Sequence, residues 1–144
     1  GTLVMPTATS DLLGTGKWSA GPAVMLIGSR GNVNMLAQAR QIWSFAGDDA
    51  RARVSNLAIE PILTYKLKPQ WYLFTDPIIT ANWEASSSDR WVVPVGGGAG
   101  HLFQLWDQWM DVKLEAYHNA VRPDNAPEWS ASFSYTLLFK KPEK

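Results

Sequence analysis

Ser130, Ser132 and Ser134 recur at every second position near the end of the chain, and His101 and His118 are its two imidazoles. A serine nucleophile needs a histidine base and an orienting carboxylate within hydrogen-bond reach. Here His118 lies across a loop from the serines, and nothing in the spacing selects a triad, so no catalytic residue and no enzymatic activity are expected. Two histidines in a chain without cysteine make a poor zinc site, and no metal is expected. The run "GGGAG" (96–100) lacks the lysine and the following helix of a phosphate-binding loop. Glycine within a strand marks a bend or a close backbone approach. Gly96, Gly98 and Gly100 therefore leave either space for a ligand or room for neighbouring bulk.

Arg40, Glu60, Asp76, Asp111, Lys113 and Glu115 fall on one parity of the alternating segments described below, together with Tyr72, Phe74 and Tyr117. Two roles fit such a set. Rings of charge select solutes in pores, whereas mixed charges in a narrow interior pair with one another, because unpaired charge there is costly. The mixture of signs favours pairing for most of them. Arg40, Glu60, Asp76, Lys113, Glu115, Tyr72 and Tyr117 are the candidates for an inward-facing constriction.

The elements that carry these residues read as strands. Period-two alternation recurs and helical periodicity is almost absent. Seven strands are expected, at about 17–28, 33–46, 53–67, 70–83, 90–103, 109–119 and 128–140. In the last, Trp129, Ala131, Phe133, Tyr135, Leu137 and Phe139 oppose Ser130, Ser132, Ser134 and Thr136. Alternation alone suits a soluble sheet with its apolar face inward or a membrane barrel with its apolar face outward. Three further features favour the barrel. The runs are longer than ordinary globular strands and match the roughly 9–11 tilted residues that cross a bilayer. The short connections "GSRGN", "KLKPQ" and "QLWDQ" fall at one end, and the longer "AGDDARAR", "EASSSDR" and "HNAVRPDNAPE" at the other, as in outer-membrane barrels. Finally, Trp18, Trp43, Trp71, Trp83, Trp91, Trp109 and Trp129 lie near strand ends, where amphipathic indoles form interfacial belts. The girdle is assigned to Trp18, Trp43, Trp71, Trp83, Trp91 and Trp129.

Composition is consistent with this reading. The 144 residues carry no formal net charge, which gives no reason to expect a nucleic-acid partner. The absence of cysteine suits passage through an oxidising compartment. The chain begins at Gly1 without an initiator methionine, so it reads as a processed or truncated product. Seven is odd, and single-chain bacterial barrels use even strand numbers. Either residues 2–8 add an eighth strand, or the chain is a segment of a larger barrel, or several chains share one. The segment is the preferred reading.

The segments "LGTGKWSAGP" (13–22), "IWSFAGD" (42–48), "EPILTYKL" (60–67), "WYLFTDPIITANW" (71–83), "WVVPVGGGAG" (91–100) and "AYHNAVRP" (116–123), with the closing "LLF", carry a resemblance. In this order they resemble the C-terminal half of the meta-pathway phenol-degradation family of bacterial outer-membrane β-barrel proteins. That family is distantly similar to barrels that take up fatty acids and hydrocarbons. The resemblance implies a transmembrane barrel in the bacterial outer membrane with a transport role, and it brings no catalytic residues. Family members run to about twice this length. Lys140 to Lys144 also extend past Phe139, where a terminal aromatic is the usual assembly signal.

The expectation is therefore an all-β, antiparallel up-and-down transmembrane β-barrel of seven to eight visible strands. Residues 1–144 form a single barrel domain or the C-terminal portion of one, with a loop-like segment at 1–16. The expected function is a passive channel for small apolar or aromatic molecules, with outer-membrane lipid and a small-molecule solute as partners and no cofactor. The alternatives are a structural barrel with a plugged lumen and a soluble β-sandwich or lipocalin-like binding module.

Overall fold

A computed structural model describes residues 1–8 and 14–139. Ten strands form one antiparallel sheet: β1 (Thr2–Val4), β2 (Lys17–Gly21), β3 (Ala23–Arg30), β4 (Val33–Gly47), β5 (Ser55–Lys66), β6 (Trp71–Thr75), β7 (Ile79–Asn82), β8 (Trp91–Leu105), β9 (Gln108–Val121) and β10 (Trp129–Leu138). No helix occurs among the described residues. Each expected strand is present, but two are divided. Pro22 separates β2 from β3, which both pair with β4. The segment 76–78, containing Pro77, separates β6 from β7, which both pair with β5 and β8. Proline has no N–H to give to a ladder, which interrupts pairing at Pro22 and at Pro77. Pro94 likewise coincides with a register shift between β8 and β9.

The sheet thus makes eight passes, each paired with its neighbour in sequence. The N-terminal segment expected to be loop-like supplies the first of them: Thr2–Val4 pairs with Ser19–Gly21. Three residues are too few for alternation to reveal. Among the described residues no ladder joins β10 to β1, so the sheet is open rather than closed into a barrel. The one circuit of pairings, β5–β6–β8–β7, merely encloses the interruption at 76–78. Residues 9–13 of the expected N-terminal loop and residue 140 of the seventh expected strand lie outside the described residues.

The connections are one-sided in length. At one end lie 31–32, 67–70 and 106–107; at the other lie 48–54, 83–90 and 122–128. The two-residue turns start with left-handed residues, Gly31 at φ 58° and Trp106 at φ 52°. Positive φ there matches the right-handed twist of the flanking strands.

Directly paired residues share a face, and the register carries one apolar face across the sheet. One row runs Leu73, Ala99, Leu114 and Phe133; a second runs Trp71, His101, Val112 and Tyr135. On β4 and β5 the same face carries Met35 with Leu63, Ala37 with Pro61 and Ala39 with Ile59. No second layer covers this face. Of the apolar side chains, only Phe74, Ala81 and Tyr117 are buried among the described residues, while Leu114 is 63% and Phe133 67% exposed. The accessible surface is 10521 Å² for 16.0 kDa, against about 7,400 Å² for a globular monomer of that mass. This sheet has no conventional core.

Candidate functional site

The opposite face carries the polar candidates, and adjacent strands set them in contact. Tyr72 on β6 lies over Gly100 on β8, its register partner. A Cβ at Gly100 would sit 2.1 Å from Tyr72 Cζ, so only glycine admits the ring. The phenol then reaches β9 and donates to the Asp111 carboxylate, at 2.7 Å and 2.8 Å from its two oxygens. Lys113 Nζ is 3.9 Å from Asp111 and 5.5 Å from the centroid of the buried Phe74 ring. Tyr72 and Phe74 themselves lie 5.9 Å apart.

A second group forms at the interruption of the fifth pass. Tyr117 Oη donates to Asp76 Oδ1 at 2.6 Å and accepts from the Asp76 backbone N–H at 2.9 Å. Thr75 Oγ1 donates to the Gly96 carbonyl at 2.8 Å. Glu115 accepts from Ser132, and Glu60 accepts from Gln38. Arg40 and Glu60 line a common groove of about 310 Å³ with Met25 and Ala58, but they form no ion pair with each other.

The expected constriction residues therefore share a face without forming one ring. Tyr72 and Lys113 meet through Asp111; Tyr117 meets Asp76; Glu115, Glu60 and Arg40 stand apart. Mutual charge pairing accounts only for Asp111 with Lys113. Phenol, hydroxyl and amide donors satisfy the other carboxylates: Tyr117 reaches Asp76 from two passes away, while Ser132 and Gln38 reach Glu115 and Glu60 from the adjoining strands. The choice left open for the glycine run is also decided. Gly100 makes room for Tyr72. Gly96 and Gly98 bring β8 close to the β9 backbone, since a Cβ there would lie 2.1 Å from the Ala116 carbonyl oxygen and 2.2 Å from that of Leu114. At each of the three the space that a Cβ would take is already filled.

The register separates the residues considered for catalysis. Ser130, Ser132 and Ser134 pair with Tyr117, Glu115 and Lys113 on the polar face, whereas His118 pairs with Trp129 on the apolar face. Each histidine instead packs against a tryptophan, His101 stacked on its partner and His118 tilted against it. The rings of His101 and Trp71 are 4.3 Å apart at the short-turn end, and those of His118 and Trp129 are 4.7 Å apart at the loop end.

The tryptophans lie at both ends of the apolar face. Trp43, Trp83, Trp91 and Trp129 are at the loop end; Trp71 is at the short-turn end. Trp83 and Trp91 pack edge to face at 5.6 Å, and Trp83 Nε1 donates to Gln41 at 2.9 Å. Trp18 sits beside a β-bulge at the loop end. Trp106, left out of the expected girdle, occupies a short turn and is 88% exposed. Trp109 shares the polar parity with Gln104 and Leu138.

Arg90 escaped the sequence reading because it stands at the very start of the expected strand 90–103, where the loop passes into the strand and alternation says nothing of its contacts. Its guanidinium carbon lies 5.6 Å from the centroid of Trp83. Comparison with protein-family models, characterised proteins and solved structures finds no match for the chain.

Proposed function

We propose that this chain is wall of a bacterial outer-membrane β-barrel whose polar face lines a passage for small apolar or aromatic molecules. The observation that carries the reading is the uncovered apolar face, bordered by tryptophan at its two ends. Its height suits a bilayer. From Trp43 to Val33 is ten residues along β4, or about 34 Å at about 3.4 Å per residue. A tilt of about 40° reduces this to roughly 26 Å, close to the roughly 25 Å apolar band of outer-membrane barrels. The one-sided loop lengths support the same reading, as does the resemblance to the phenol-degradation family. A soluble sandwich would need a second apolar layer against this face.

Passage rests on the mixed character of the polar face. Serine and threonine hydroxyls wet it, while Tyr72 and Leu102 supply weak apolar contact, as ligand sites do. At the short-turn end Tyr72, Leu67, Leu102, Leu138 and Asp111 line an open groove of about 430 Å³. The tyrosine–aspartate bonds favour a second reading, in which the interior is filled and conducts nothing. Two measurements test these proposals. Brominated lipids should quench the tryptophans of reconstituted protein; unquenched tryptophans in a detergent-free soluble monomer would refute the membrane assignment. Liposome swelling should report solute entry that changes in Glu60→Ala and Lys113→Ala. Sealed liposomes, unchanged in both variants, would leave the filled barrel.

A further inference from the structure

Resting on the reading of the polar face as a passage, we propose that its loop end contains a subsite for a small organic carboxylate with an apolar body. A cavity of about 460 Å³ opens there between β4, β5, β7 and β8. Its polar lining is rich in donors: Arg40, Arg90, Asn56 and Asn82. Asn56 and Asn82 are direct cross-strand partners, and Ala58 pairs with both Arg40 and Thr80, so the register itself assembles this wall.

Neither arginine is neutralised. Among the described residues, neither Arg40 nor Arg90 belongs to an ion pair. Arg90 Nε is a buried donor with no hydrogen-bond partner. A buried unsatisfied donor on a cation is costly, and an acceptor on a bound anion would remove that cost. The nearby acids take their hydrogen bonds from uncharged donors rather than from these arginines. Asp89, which also lines the cavity, accepts from Ser86 Oγ at 2.7 Å and Ser88 Oγ at 3.5 Å. Glu60, the next acid on this face, takes its bond from Gln38. The Asn82 amide oxygen accepts from the Glu84 N–H at 3.1 Å, which leaves the amide hydrogens available.

The chemistry of these donors narrows the ligand. Guanidinium presents a planar fork that matches a carboxylate in a bidentate pair. Ile42, Val92 and Pro123 complete the wall with apolar surface, which a bare inorganic anion would leave uncontacted. A carboxylate on an apolar body uses both parts of the lining.

Equilibrium dialysis of the detergent-solubilised chain against benzoate tests the proposal, with benzyl alcohol, acetate and inorganic phosphate as comparison ligands. Benzoate should bind saturably and at least about tenfold tighter than benzyl alcohol, which keeps the ring without the charge, or acetate, which keeps the charge without the ring. Arg40→Gln and Arg90→Gln should each weaken benzoate by about tenfold or more, and Arg90→Lys should fall between. Circular dichroism reports whether each variant keeps its strand content; if Arg90→Gln does not, the more exposed Arg40 carries the test. Equal binding of benzoate and benzyl alcohol, phosphate binding as tightly as benzoate, or benzoate affinity unchanged in Arg40→Gln would each overturn the subsite. Dialysis needs no sealed membrane, so a negative result here leaves solute passage standing, and sealed liposomes leave a positive binding result standing.

Discussion

Pro61 and Pro77 stand opposite each other across the interrupted ladder between β5 and the fifth pass. The flanking pairs Ile59 with Ile79 and Leu63 with Thr75 fix that register. Neither residue has an N–H to donate, so the ladder stops where the two meet. The freed segment is held by a side chain two passes away, since Tyr117 both donates to the Asp76 carboxylate and accepts from the Asp76 N–H.

Tyr117→Phe removes both of those bonds and keeps the ring. The variant should lose about 1–3 kcal/mol, the cost of leaving buried polar groups unpaired. Urea unfolding in detergent measures this as a lower midpoint at unchanged slope. An unchanged midpoint would mean that water replaces the phenol at Asp76.

Gly100→Ala sets a methyl group against the Tyr72 ring and should destabilise by about 1–3 kcal/mol through overpacking. Tyr72→Phe keeps the ring over Gly100 and loses only the bond to Asp111, so about 1 kcal/mol is expected. In a Tyr72→Ala background the added methyl has nothing to meet. A double-mutant cycle should therefore give a coupling of at least about 1 kcal/mol; additivity would contradict the ring-over-glycine contact.

Leu114 lies midway along β9, between Ala99 and Phe133 on the apolar face. If lipid covers that face, Leu114→Arg should cost about 2–4 kcal/mol, as arginine does at the bilayer midplane. On a water-exposed sheet the same change falls within about 0.5 kcal/mol. Unfolding from phospholipid vesicles separates these values. A shift under 0.5 kcal/mol would count against a lipid-facing assignment.

Strand type and face were legible in the sequence because both depend on near neighbours. The opposition of Val33, Met35 and Ala37 to Asn34 and Gln38 is enough to place two faces. The division of the fifth pass was marked by Pro77, yet alternation continues on both sides of it, so 70–83 reads as one run. Contacts between passes were harder. Tyr117 meets Asp76 at a separation of 41 residues, and that meeting depends on the register of two ladders, which turn geometry fixes. Of the expected charge pairing only Asp111 with Lys113, two residues apart on one strand, is formed; shared parity places residues on a face but does not say which strands bring them within reach. Arg90 was invisible because its position depends on a loop packing its guanidinium over Trp83.

The nearest-neighbour order of the passes bears on how such a sheet is built. Every ladder joins one pass to the pass before or after it, so no strand has to thread between two others. Local pairing of this kind favours fast assembly. Growth hairpin by hairpin leaves one leading edge at each stage, and among the described strands the last such edge is β10, whose ten residues Trp129–Leu138 include no charge and no proline. An edge so unprotected pairs readily with any other extended chain. The order that speeds construction thus leaves β10, among the described strands, with an open edge that another copy of itself can occupy.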